Sequence, residues 1–335
     1  MRAARTTERG FTLIELMVSL VLFSFAIAGV LAVAVSMSQG FRDQRQAVNA
    51  EAAVRIPLDF IVDAVRQASP GAPTGAITDA KVGVCNNTTV LKVTPNQTAA
   101  NDATLTGWDQ LELIYASGAF VTSTRTTFDS SSATIDVTDA SQLAAGDYIV
   151  VSNTSIGTLV KITGIASNTL TIATLCGSPG IPAGGYSAGS IVVRAQHAVF
   201  FLDTVDGVPT LMMNPGGDAT ANHTAGVSEP LAEGIEDMQV ALGVDTNADG
   251  VITEVGAAAG DDEWQGNVFG DANLVGTIRA VRITLISRTA GGIQGNATPF
   301  VRPAAEDHAA ATTNDKYRRR ILRSTVEVRN MGASP

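Results

Sequence analysis

The longest apolar run of the chain lies at its start. Between residues 11 and 37 nearly every position is apolar, with Ser19, Ser24 and Ser36 interspersed, and Glu15 is the only charge. About 20 such residues cross a bilayer, so the run predicts a membrane helix. Gly29 and several alanines are small enough for close helix–helix contact. Polar, helix-compatible residues 41–46 follow without a break. Apolar positions then recur at three- and four-residue spacing through Ala47, Ala50, Val54, Leu58, Ile61, Val62 and Val65, as in an amphipathic helix. Pro57 is expected to kink or split this helix, and Ser69-Pro70-Gly71 to end it. The reading is one long helix with a membrane half (11–40) and an amphipathic half (41–69).

Beyond residue 70 the period changes from helical to two. Trp108-Asp109-Gln110-Leu111-Glu112-Leu113-Ile114-Tyr115 alternates as a strand, after a Thr-, Ala- and Gly-rich region with strand character around 81–93 and a loop over 96–102. Residues 120–195 differ in texture. They are rich in Thr, Ser, Ile and Val, with turns every eight to twelve residues or so, and predict an inserted all-β module. Strands are expected over 191–202, 210–213, 235–242, 278–287 and 317–330, with Asp206-Gly207 as a hairpin turn and 296–314 as a loop. The expected class is α+β: the long helix packed on an antiparallel β-sheet head (70–119 and 196–335) that carries the 120–195 module.

Residues 1–10 form a short, net positive leader, with Arg2, Arg5 and Arg9 against Glu8. By the positive-inside rule it stays cytoplasmic and the body lies outside. A carboxylate near the start of a membrane helix costs a few kcal/mol on insertion scales, so Glu15 needs a partner. Gly10-Phe11-Thr12-Leu13-Ile14-Glu15-Leu16-Met17-Val18-Ser19-Leu20 resembles, without a gap, the type III signal of type IV pilins and type II secretion pseudopilins. The resemblance implies cleavage after Gly10 by a membrane-embedded prepilin peptidase, N-methylation of Phe11, and an assembly role for Glu15, whose carboxylate would meet the amine of a neighbouring subunit's Phe11. Further pieces resemble the large minor pilins of the PilW type and the J-type minor pseudopilin. They are the strand at 108–115, the segment Gly234-Ile235-Glu236-Asp237-Met238-Gln239 with the acidic loop after it, and the closing strands at 280–285 and 318–330.

That acidic loop, Asp245-Thr246-Asn247-Ala248-Asp249-Gly250-Val251-Ile252-Thr253, has calcium-loop spacing. Oxygens of Asp245, Asn247 and Asp249 converge, Gly250 allows the sharp turn, Val251 offers its carbonyl, Thr253 follows, and Ile252 can anchor the loop in the core. Position 12 is Gly256 and not Glu, so a further acid would come from Asp261, or from Asp262, Glu263 or Glu254. A structural Ca²⁺ site and a solvated Asx-rich turn both fit these residues. Cys85 and Cys176 are the only cysteines. Facing an oxidising compartment they can pair, closing a loop worth roughly 4 kcal/mol on a model-dependent estimate, with buried free thiols as the alternative.

Composition narrows the function. The 335 residues are 45% hydrophobic and 16% charged, with a net charge of -10, which argues against nucleic acid as the main partner. Arg318, Arg319, Arg320 and Arg323 form a local basic patch, expected as a solvated strand face with one or two salt bridges. His197, His223 and His308 are scattered, and no HExxH, GxSxG, Walker A or GxGxxG pattern occurs, so an enzyme is not expected. The resemblance implies a minor pilin, cleaved and inserted at the tip or priming complex of a type IV pilus. It would pass from the inner membrane, head in the periplasm, to the cell surface, with other minor and major pilins as partners. A minor pseudopilin of type II secretion and an adhesin head on a pilin stem are the alternatives.

Overall fold

A computed structural model describes residues 12–71, 76–79, 87–154, 156–173, 175, 181–216, 227–245, 251–253, 263–266, 278–293 and 297–328. Helix α1 spans Leu13–Arg66. The strands of the first part of the head are β1 (Ala76–Asp79), β2 (Asn87–Thr89), β3 (Leu91–Thr98) and β4 (Thr106–Ser123). Then come β5 (Thr134–Asp136), β6 (Tyr148–Ser152), β7 (Gly157–Ala166) and β8 (Thr169–Ile172). The chain returns through β9 (Ile191–Val205), β10 (Val208–Asn214) and β11 (Glu229–Glu233). It closes with β12 (Ile235–Val244), β13 (Trp264–Gln265), β14 (Ile278–Arg288) and β15 (Arg319–Glu327). The α+β class expected from the change of period is what the chain adopts.

Two compact units divide at Val48 and Asn49. In the first, none of the described residues is buried. Leu13, Phe23, Phe25 and Val30 all stand exposed on α1, a surface that only lipid or another apolar helix can cover. In the second unit, Val54, Leu58, Ile61 and Val65 repeat at helical spacing and are buried with Trp108, Leu111, Leu113 and Phe200. Each such side chain contributes about 1.5–3 kcal/mol of burial. The Phe60 and Phe200 rings meet edge to face at 6.0 Å. Pro57 does not split the helix: α1 runs through it, and Pro57 is itself buried. Packing of this face offsets the backbone bond that proline forfeits. The helix ends at Arg66, where the amide of Ala116 bonds the Gln67 carbonyl and that of Ser69 bonds Ile114.

Eleven strands make one sheet, and β13-β12-β14-β15 make a second. In the large sheet β4 and β9 run antiparallel through two cores. From Leu111↔Phe200 to Ala116↔Ala195 they line the core shared with α1. The register then shifts between Ala116 and Val121, with Gly118 at φ 84°. Beyond the shift lies a second apolar cluster drawn wholly from residues 120–192, including Phe128, Ile135, Leu170 and Tyr186. Strands β5 to β8 enclose it, and β1 reaches in from before β4 to pair in parallel with β7. Asp206 and Gly207, at φ 51° and 79°, form the two-residue turn between β9 and β10, the mirror-image geometry that suits strand twist. The loop expected over 96–102 begins later, because β3 continues to Thr98 through register shifts beside Asn96, whose φ is 55°.

The second sheet has two unlike faces. One carries Met238, Val240, Leu242, Val281, Ile283 and Leu285 into the main core. The other carries Asp237, Gln239, Arg282 and Thr284, all buried, so polar groups there must find partners.

Candidate functional site

At the start of α1, Thr12 and Glu15 form a reciprocal cap. The amide and hydroxyl of Thr12 donate to Glu15 Oε2 at 3.1 and 2.9 Å, and the Glu15 amide donates to Thr12 Oγ1 at 3.3 Å. This capping box satisfies helix-end donors locally. It leaves the charge of Glu15 without a cation among the described residues. Ser19 and Ser24 return their hydroxyls to the Leu16 and Leu20 carbonyls, at 3.0 and 2.8 Å, so neither presents an unsatisfied group to the surroundings. Gly10 and Phe11, the expected cleavage and methylation positions, lie outside the described residues.

The acidic loop is described only at its ends. Asp245 is buried and accepts from Arg279 Nε at 3.2 Å. The amide and hydroxyl of Thr253 donate to Glu263 Oε2 at 3.0 and 3.2 Å, and the Val244 amide donates to the Glu263 carbonyl at 2.9 Å. Glu263 therefore ties the far end of the loop back to β12. Ile252 packs on Gly243, where an added Cβ would come within 3.0 Å of it. Asn247, Asp249 and Asp261 lie outside the described residues, as do Cys85 and Cys176. Among the described residues no group of three or more His, Cys, Asp or Glu could hold a metal ion.

The stretch expected as an uneventful loop is a strap across the polar face of the second sheet. Asp237, 0% exposed, accepts from Arg302 Nη1 at 2.8 Å, from the His308 Nδ1 side at 2.9 Å, and from Gln239 Nε2 at 2.8 Å. Arg302 also donates to His308 Nε2 at 2.8 Å, which places the ring proton on Nδ1, toward Asp237. Glu306 takes Arg282 through two nitrogens at 3.0 and 2.7 Å, Thr284 Oγ1 at 2.9 Å and Arg323 at 3.0 Å. Glu306 holds φ 45° at the tip of a tight turn closed by Ala305 and His308, a conformation that costs a side-chain-bearing residue energy. Arg282 also stacks over the Trp264 ring at 4.4 Å.

The basic patch is only partly solvated. Arg319, 8% exposed, bridges Glu236 and Asp315, bonding Asp315 Oδ1 at 2.7 Å. Burial pushes the Glu236 carboxyl up despite its arginine partner. For Asp315 burial acts upward and is the largest single influence, but the Arg319 hydrogen bond, the Tyr317 amide and the charges of Arg319 and Arg288 together hold the carboxyl below its ordinary value.

Asp109 joins the two sheets. It stands on β4, and its Oδ2 accepts from the Val240 amide of β12 at 2.9 Å. Its Oδ1 accepts from the Asn96 amide at 3.3 Å. Burial, with Asp307 and Asp237 nearby, pushes its carboxyl up to about 7. Beside it Gln239 donates to the Gly107 carbonyl at 2.8 Å. Gly107, at φ 82°, admits His308 where a Cβ would sit 2.5 Å from the ring.

Two family models match this chain. The prokaryotic N-terminal methylation motif matches residues 5–31, and type IV pilus-assembly protein W (PilW) matches residues 199–330. Over residues 199–330 the chain is similar to the PilW family. It is a type IV pilus minor pilin, membrane-anchored through an apolar N-terminal helix. Neither the secretion pseudopilin nor the adhesin reading draws support from these matches. No curated protein and no solved structure matches the chain. The PilW match spans the end of β9, all of the second sheet and the strap, and it excludes the 108–115 strand and the 120–195 region.

Proposed function

We propose that this minor pilin is made as a prepilin, cut after Gly10 by a prepilin peptidase, methylated at Phe11, and drawn into the pilus by pairing of Glu15 with the terminal amine of a neighbouring pilin. The supporting observation is the isolation of Glu15. It is the sole charge between residues 11 and 41, on a stretch of helix whose apolar side chains from Leu13 to Phe41 are all exposed, and Thr12 supplies only neutral donors. An uncompensated charge in hydrocarbon is costly, and an incoming amine neutralises it. The head then faces the periplasm and later the cell surface. A head of this size suits a place at the tip or in the priming complex, used in few copies. Intact-mass measurement on protein from membranes tests the reading. A chain beginning with N-methylated Phe11 supports it, and a chain beginning at Met1 would sink it.

The loop of Asp245, Asn247, Asp249, Val251 and Thr253, completed by Asp261, is proposed to hold a structural Ca²⁺. What supports this is that Thr253 bonds Glu263 and Ile252 packs on Gly243, which hold the described end of the loop beside β12. Calorimetric titration of CaCl₂ into EGTA-treated full chain tests this: no heat, and no rise in Tm, refutes it. Cys85 and Cys176 are proposed to pair in the oxidising compartment, which non-reducing alkylation followed by mass measurement decides.

A further inference from the structure

A sheet edge is a row of unpaired backbone donors and acceptors, and proteins blunt edges with prolines, bulges or short strands. Most edges here are blunted. β11 contains Pro230 and shifts register against β10; β3 contains Pro95 and shifts twice against β4. β2 and β5 have 3 residues each and β13 has 2. β15 is not blunted. Its 9 residues pair with β14 in one unbroken register, from Arg288↔Arg319 to Ala280↔Glu327, and include no proline.

Two bonds flanking the ladder fix which way its backbone points. The Thr289 amide donates to the Arg318 carbonyl, and the Val328 amide to the Arg279 carbonyl, both at 2.9 Å. Antiparallel pairs alternate between bonded and non-bonded. The even-numbered residues of β15 therefore face β14. The N–H and C=O groups of Arg319, Ile321, Arg323, Thr325 and Glu327 point away from the sheet, and no described strand pairs with them. The side chains along this edge are accessible: Ile321 is 44% exposed, Arg323 51%, and Arg320 and Thr325 are exposed. Arg318 and Arg320 stand exposed along this edge, whereas Arg319 is held by Glu236 and Asp315 and Arg323 bonds Glu306, in a chain whose net charge is -10.

We propose that β15 is a docking edge that takes an extended, acidic strand from another pilin subunit by strand addition. The choice of a pilin as occupant rests on the minor-pilin reading. A second copy of this chain fits worse. It would bring a second copy of the same basic edge alongside the first, and registers centred on Arg323 or Ile321 set arginine directly against arginine.

Ile321→Pro tests the edge, since it removes one outward N–H and no bond to β14. Full-length Ile321→Pro should accumulate in membranes with an unchanged Tm, yet lower piliation at least tenfold; Arg320→Glu should lower it without touching the backbone. Wild-type piliation in both variants would overturn the proposal. Deletion of the whole gene separates the two readings: if deletion impairs piliation and these variants do not, the edge proposal alone fails, and if deletion has no effect, the assembly role falls with it. A photo-crosslinker on Thr325→Cys should capture a peptide of another pilin that contains Asp or Glu. Capture of this chain's own β15 would overturn the choice of partner.

Discussion

Replacing Asp109 by Asn should flatten much of the pH dependence of stability. Asp109 is 1% exposed, and its carboxyl is raised from 3.8 to about 7, chiefly by burial. The folded protein therefore keeps a proton between these two values that the unfolded chain has released. Well below pH 3.8 both states are protonated and Asp109 adds no pH dependence. As pH rises through 7 the folded state must ionise a desolvated carboxyl, and stability falls until both states are charged. Three pKa units correspond to about 4 kcal/mol, part of which is already lost by pH 5, so a loss on the order of 2–4 kcal/mol between pH 5 and 8 is expected. For a domain this large that is roughly 4–12 °C in Tm. Asn keeps a carbonyl oxygen for the Val240 amide and cannot ionise. Its amide group faces the Asn96 N–H, but that cost is the same at every pH. Thermal unfolding of both full-length proteins in detergent at pH 5 and pH 8 measures the double difference, in which other titrating groups cancel. The reasoning is refuted if Asp109→Asn loses the same stability at both pH values.

Three further outcomes follow from other contacts. Glu306→Gln leaves Arg282 buried beside a neutral partner and should cost about 3–5 kcal/mol, read as a lower denaturant midpoint. Gly185→Ala should open the 120–192 core locally, because Gly185 holds φ 78° and its Cβ would meet the Phe128 carbonyl at 2.5 Å; amide exchange should rise there and stay unchanged around Phe200. Glu15→Leu removes the few kcal/mol that a carboxylate costs in the bilayer, so the protein should still insert while piliation falls; normal piliation would remove Glu15 from assembly.

What the sequence made visible was the part written in contiguous pattern. The methylation motif, the 54-58-61-65 stripe of α1 and the alternation of β12 and β14 are local, and a period of 3.6 or 2 announces them. Pro57 misled because its local cost is set against burial that only the folded head supplies. The acidic loop is written in the same local code, but three of the six residues expected as ligands and both cysteines lie outside the described residues. The strap was invisible for another reason. Its segment has no apolar period, and its meaning lies in pairs far apart in the chain: Asp237 with Arg302, Glu236 with Arg319, Arg282 with Glu306. An arginine run on an alternating strand reads as solvated, and nothing near Arg319 in sequence discloses that Glu236 buries it.

These pairs suggest what the strap is for. A sheet that packs one face on the core and leaves the other polar could simply be solvated, yet here the polar face is covered at the cost of desolvating three carboxylates and three arginines. Apolar replacements would cover it as well or better, since buried ion pairs seldom gain net stability. What charges add is direction. Asp237 accepts only where Arg302 and His308 both arrive, and Glu306 only where Arg282, Thr284 and Arg323 converge, so the strap has one seating. That seating holds Arg319 and Arg323 on the sheet and leaves the outer backbone edge of β15 straight and open. The PilW match covers 199–330, the strap with all but its β4 contacts, and stops short of the 120–192 core. The geometry that presents β15 therefore lies in the stretch that is similar to the PilW family.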